Sequence, residues 1–491
     1  MNSIYRQGKN SGMALFVMLA AVTLLAGTAL PAQAQSYTPL FNYDTGQQWF
    51  AGPSGQLALG RDGNFYGMTF TGDILYNVTP EGNPTVLWVA PDQFEWGVQC
   101  NFGLTLGPDG LLYGPCMDID QEWSYGSGAI FKYDPTQVPT QNGFTVLYEF
   151  PVYGCSVQPN ALTLNTDGNF YGTTQGANCG TAGYGTFFKI TPSGTLTTLH
   201  TFQGDPADAA YPSAVTLGND GNFYGTSPAG GAYNSGTIFK ITSKGKLTLL
   251  YSFESSGTTP YEPGAPLTQG TNGAWYGTTF LGGTYNYGTI FELKGKTLTV
   301  LHNFDQSVDT AYPNFPLTLG TDGNFYATSE ATAFGGYAPE SIFEITTAKK
   351  PVYSTLFSWT TWGGPGCSAQ LTNGCLPSSP LAPHPNGMFY GTTNQGGSVD
   401  AGEFYSFSMG FKPYIILQFP RGTIGTSIGI FGTGLTGTTA VSFDGVDATS
   451  FTVDSDTYLT AVIPTGAKTG YVTVTTPTAS LTSAIKLTVV K

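Results

Sequence analysis

The chain has 491 residues, of which 10% are charged and 14% aromatic, with 67 glycines and a formal net charge of −14. So many aromatic and β-branched residues exclude a disordered chain, and so acidic a surface argues against nucleic acid or an anionic membrane as partner. The composition suits many short strands joined by tight turns.

Residues 1–34 read as a signal peptide. Arg6 and Lys9 form a basic start, residues 14–26 are an apolar run too short to span a bilayer, and Ala32-Gln33-Ala34 is a small-x-small cleavage site. The mature chain is expected to begin at Gln35, to be secreted or periplasmic, and to hold no transmembrane segment after cleavage.

Residues 35–411 repeat one phrase. Asp-Gly-Asn-Phe-Tyr-Gly stands at 62–67, 167–172 and 220–225, with looser copies at 109–114, 272–277, 322–327 and 386–391. The turn glycines Gly63, Gly110, Gly168, Gly221, Gly273, Gly323 and Gly387 recur at intervals of 47 to 64 residues, a period that belongs to propellers and solenoids. In the fourth unit, residues 214–217 and 223–227 flank an Asp-Gly pair, read as a hairpin with a type I′ turn. Residues 236–242 and 246–253 supply third and fourth strands at period two. The third strand recurs at 129–133, 186–190, 289–293, 341–345 and 403–407, and the fourth at 85–90, 144–150, 196–202, 298–304 and 352–359. Four strands per unit make a propeller blade, and seven blades close a ring without open sheet edges. The seventh unit has three strands, and residues 37–43 resemble a fourth. They are expected to complete that blade and clasp the ring.

Residues 412–491 leave the repeat. Short Val/Ile/Thr-rich strands at 426–431, 439–443, 459–463, 470–476 and 485–490 read as a small β-sandwich. The fold class is therefore all-β: a seven-bladed propeller followed by an immunoglobulin-like sandwich.

Six cysteines, an even number, all fall after the signal, where disulfides are the default. The repeat favours pairing Cys100 with Cys116, Cys155 with Cys179, and Cys367 with Cys375. Asp118, Asp120 and Glu122 form an acidic cluster able to hold Ca²⁺, with a solvated loop as the alternative. No other cofactor is expected. His200 and His302 share one position of two units, which points to a structural role, and His384 lies between two prolines. Gly425-Thr426-Ser427-Ile428-Gly429 fits the nucleophile-elbow pattern but opens a strand, without the helix an elbow needs. The carboxylates Asp205, Asp208, Glu254, Glu262, Asp305 and Asp309, beside Tyr211, Tyr261 and Tyr312, could pair for glycoside chemistry. Solvated loops with a shared packing tyrosine explain them better. Function is expected where a unit departs from its siblings: Trp96, Trp123, Tyr125 and Trp362 are candidate contacts for a ligand.

Two resemblances follow from these motifs. Asp-Gly-Asn-Phe-Tyr-Gly-Thr, Gly-Thr-Ile-Phe-Lys-Ile and Thr-Leu-x-x-Leu-x-x-Phe resemble the Gloeobacter–Verrucomicrobium ("GloVer") tandem repeat, over residues 37–410. That resemblance implies an exported bacterial repeat protein with no established chemistry. Residues 425–435 and 460–467 are similar to IPT/TIG immunoglobulin-like domains, which implies a spacer or interaction module. The reading is a non-catalytic binding protein for an extracellular glycan or protein. The alternatives are a polysaccharide hydrolase or lyase, and a structural envelope or matrix component.

Overall fold

The Asp-Gly-Asn-Phe-Tyr-Gly phrase is a complete local instruction, and each of its residues has a separate task. In the computed structural model, Asp62 accepts the Asn64 amide through Oδ1 at 3.1 Å and the Tyr66 hydroxyl through Oδ2 at 2.9 Å. Asp109, Asp167, Asp220 and Asp322 repeat both bonds. Asn272 and Asn386 keep the amide bond but reverse the other, donating Nδ2–H to Tyr276 and Tyr390. The turn differs from the expected type I′. Gly63 N–H bonds Gly60 C=O, and Gly63 alone has positive φ, at 81°, while Arg61 and Asp62 do not. This is a three-residue hairpin loop, residues 61–63, whose last residue is the left-handed glycine. Asp caps it better than it would tolerate a left-handed site of its own.

The aromatic pair of the phrase joins neighbouring blades. Tyr113 packs on Phe170 (ring centroids 4.2 Å apart), Tyr171 on Phe223 (4.5 Å), Tyr224 on Trp275 (4.1 Å), Tyr276 on Phe325 (4.3 Å) and Tyr326 on Phe389 (5.0 Å). Tyr390 then reaches Phe65 of the first blade at 4.9 Å, closing the circle. Such pairs contribute about 0.5–1.5 kcal/mol each beyond area burial. The final glycine makes room for the third strand: a Cβ on Gly225 would lie 2.5 Å from Phe239.

The structure describes residues 35–43, 52–69, 74–89, 103–117, 128–137, 143–151, 157–176, 183–204, 206–309, 312–329, 340–359, 374–398 and 400–490. Among them every regular element is a strand. The fourth blade shows the pattern: Thr216–Leu217, Phe223–Ser227, Thr237–Ile241 and Leu247–Ser252 pair antiparallel in chain order. Seven such sheets follow one another. Ser36–Asn42 pairs antiparallel with Glu403–Ser408, so the strand expected to clasp the ring does so. Threonine hydroxyls tie the inner strands: Thr105, Thr163, Thr216, Thr268 and Thr318 each donate to a backbone carbonyl of the next blade. Ala58 and Ala382 hold this position on the first and seventh blades. Between the seventh and first blades the imidazole of His384 reaches across instead, its Nε2 lying 3.2 Å from the Gly63 carbonyl.

Residues 416–490 form two four-stranded sheets around Ile428, Ile430, Leu459, Val472 and Val474. Ser427 is exposed at the start of a strand and pairs with Val462, which is not the setting of a nucleophile. This sandwich sits on the face that carries the Asp-Gly turns. Thr457 Oγ1 and Ser455 Oγ donate to the Arg61 carbonyl at 2.6 and 3.0 Å, the Arg61 guanidinium lies over the Tyr458 ring, and Arg421 rests against Gly221. Phe419 packs into both the sandwich core and the propeller core. The central channel is a cavity of about 640 Å³ between the inner strands of all seven blades, bounded by Ile416–Pro420 on the sandwich side.

Candidate functional site

In an up-and-down blade the first-to-second and third-to-fourth turns lie at one end, and the remaining connections at the other. The sandwich covers the first end, which leaves the second as the open face. Its loops are stitched together: Ala209–Ala210 pairs with Ala229–Gly230, and Pro260–Tyr261 with Leu281–Gly282.

Three tyrosines stand out from this face. Tyr184, Tyr233 and Tyr285 are 43%, 56% and 51% exposed, and Val308 is 73% exposed. All four lie on the loops of the third to fifth blades. Tyr233 and Tyr285 occupy one position of consecutive units, each followed by an asparagine with positive φ. Asn234 Oδ1 accepts the Gly230 amide at 2.9 Å. Asn286 Oδ1 accepts the Gly282 amide at 3.1 Å and the Tyr261 hydroxyl at 3.0 Å. These bonds set each exposed ring on a rigid loop, so little ordering remains to be done on binding.

Beneath them lies a second tier. Tyr211 packs by Tyr184, and Tyr312 is buried against Tyr287 and Phe280. Tyr211, Glu262 and Tyr312 share φ of 55–57°, each directly before a proline. Asp208 and Asp309 hold the same loops from inside. Asp208 accepts from His200 Nε2 (3.1 Å), Gln203 N (3.0 Å) and Ala209 N (2.7 Å), and Asp309 accepts from His302 Nε2 and Asp305 N, both at 2.6 Å. The histidine–aspartate pairs are thus loop fasteners, in line with a structural role for His200 and His302. Burial raises the Glu262 carboxyl above the usual range. His384, buried and remote from this face, accepts the Asn386 amide at Nδ1, and burial holds its imidazole below the ordinary value.

Trp96, Trp123, Tyr125, Trp362, Asp118, Asp120, Glu122 and Asp205 lie outside the described residues, as do Cys100, Cys155, Cys179 and Cys367. Cys116 and Cys375 are buried and disulfide-bonded. Among the described residues no three His, Cys, Asp or Glu side chains gather as a metal site, and no helix is long and apolar enough to cross a membrane. Tyr233 and Tyr285 copy one another between units, so no departure from the repeat marks them. The Gly-Gly-x-Tyr-Asn recurring at 230–234 and 282–286 was the available signal.

The family model described as the Gloeobacter/Verrucomicrobia repeat matches residues 99–338 and 255–451, and the chain belongs to that family. No curated protein matches it. Solved structures similar to it include a streptogramin B lyase (16% identity, TM-score 0.47, 76% of this chain and 97% of the other). A catalytically inactive virginiamycin B lyase of Staphylococcus aureus with quinupristin is also similar (14%, 0.48, 76% and 99%), as is a putative gluconolactonase (10%, 0.39, 77% and 94%). At these scores the likeness carries no argument about activity.

Proposed function

We propose that this is an exported, non-catalytic binding protein that takes an extracellular glycan or protein on the open face of its propeller. The observation that carries this reading is the row of exposed tyrosines on rigid, mutually bonded loops, since exposed aromatics on a preorganised surface are characteristic contact residues. Two carboxylates of these loops support a non-catalytic role, because Asp208 and Asp309 are engaged within their own loops. In sequence, residues 118–127 fall between the second and third strands of their unit, as Tyr233 and Tyr285 do in later units, and Trp123 and Tyr125 are proposed as further ligand contacts. Trp96 and Trp362 belong to connections of the kind that holds Tyr211. Signal cleavage after Ala34, the three disulfide pairs, Ca²⁺ at Asp118, Asp120 and Glu122, and an IPT/TIG-like role for the sandwich are part of the same proposal. The test is an array of plant and microbial polysaccharides, read for binding and product release together, with and without Ca²⁺. Binding without products that is lost in Tyr233→Ala supports the reading, and released oligosaccharides overturn it.

A further inference from the structure

The charges of the propeller are sorted by face. Its lysines and its one arginine lie in the turns on the sandwich side or in the last two residues of the third strands leading there, as Arg61, Lys240, Lys244 and Lys246 illustrate. The sequence of every connection on the open face contains no Lys or Arg, yet these connections carry carboxylates such as Glu254, Glu262 and Asp305. A face of one sign, with no counter-charge of its own, concentrates cations and repels anions.

Glu262 gives this field a focus. It shares with Tyr211 and Tyr312 a left-handed backbone before proline, a conformation that side chains resist and glycine adopts freely. The two tyrosines use the position to pack against Tyr184 and Tyr287. Glu262 has no ring to pack, it is half-buried, and among the described residues its carboxylate accepts no hydrogen bond. The chain places glycine at many other left-handed sites, including Gly230 and Gly282 in the adjoining loops. A carboxylate kept where glycine would relieve strain points to a partner outside the fold.

Resting on the open-face reading, we propose that the ligand is a cationic glycan: a polymer of amino sugars with free ammonium groups, its rings on Tyr233 and Tyr285 and an ammonium group on Glu262. Tyrosine faces suit both halves of such a unit, through ring stacking and cation–π attraction. The tyrosine position recurs in the fourth and fifth blades, which matches a polymer of identical rings better than a single small cation.

The experiment is calorimetric titration of the purified protein with glucosamine hexamer, N-acetylglucosamine hexamer and hexalysine, at low and physiological salt. The glucosamine hexamer is expected to bind at least tenfold tighter than its acetylated twin and more weakly as salt rises. Glu262→Gln is expected to weaken it about tenfold. Glu262→Gly should lose binding while melting no lower than the parent, since glycine fits the backbone, so the loss is not one of folding. Equal or tighter binding of the acetylated hexamer overturns the charge inference, and a loss of that binding in Tyr233→Ala would leave the open-face reading standing. Hexalysine binding as tightly as the glucosamine hexamer overturns the glycan assignment. Silence from all three ligands overturns the inference, and the wider polysaccharide array then decides the parent reading by itself.

Discussion

Removing a single hydroxyl should loosen the ring at its seam. Tyr37, on the strand that closes the seventh blade, donates to the Glu403 carboxylate and accepts from Trp359 Nε1 at 3.1 Å, while its ring stacks on Phe357 at 4.1 Å. Tyr37→Phe keeps the stacking and deletes both hydrogen bonds. Glu403 is fully buried, so the bond to it falls in the charged class, about 1.5–3 kcal/mol, with about 0.5–1.5 kcal/mol more for the indole bond. Together these come to about 2–4.5 kcal/mol, so at about 1.4 kcal/mol per tenfold opening of the clasp should rise roughly thirtyfold to more than a thousandfold. Amide hydrogen exchange reads this directly, because local opening and global unfolding separate there. Exchange should quicken in Ser36–Asn42 and Glu403–Ser408, with Thr289–Lys294 in the fifth blade as the unchanged control. Unchanged exchange in the clasp, or equal acceleration in the fifth blade, would refute the reasoning.

Thr216→Val, nearly isosteric, removes the bond to the Leu267 carbonyl and should lower stability by about 1–3 kcal/mol, read from the denaturant midpoint. Gly225→Ala places a methyl 2.5 Å from Phe239 and should cost about 1–3 kcal/mol as overpacking, whereas Ala327→Gly in the sixth blade should cost less. His384 is buried with its imidazole value lowered, chiefly by desolvation, so the folded state binds its proton less readily than the unfolded chain does. Its contribution is complete above the ordinary value of about 6.5 and is lost as pH falls from there through the lower folded value. His384→Gln should therefore melt with a shallower acid decline than the parent just below pH 6.5, and parallel melting curves would remove His384 from the account. Asp208→Asn should speed exchange in residues 206–213 while leaving the fifth blade unchanged.

The blades were legible because each residue of the repeated phrase meets a need within its own unit or the next. Asp62 closes its turn, Phe65 and Tyr66 fill the gaps between blades, and Gly67 clears the third strand. The clasp was legible for the same reason, since residues 37–43 repeat a fourth-strand pattern out of place. The left-handed backbone at Tyr211, Glu262 and Tyr312 was not, because a residue before proline reads as extended. The turn type was misread because Asp-Gly serves two hairpin geometries, and the choice depends on the register of the flanking strands. The seating of Thr457 and Phe419 against the propeller links residues far apart in sequence, which no local pattern encodes. The exposure of Tyr233 and Tyr285 follows from which face the sandwich covers, and that too is a property of the assembled chain.

Ligand is proposed to bind the open face. The most direct measurement compares binding of the polysaccharide array by the parent protein, by Tyr233→Ala/Tyr285→Ala, and by Lys244→Ala/Lys246→Ala on the opposite face. The tyrosine variant is expected to lose binding and the lysine variant to keep it. Binding that survives the tyrosine change and falls with the lysine change would contradict it.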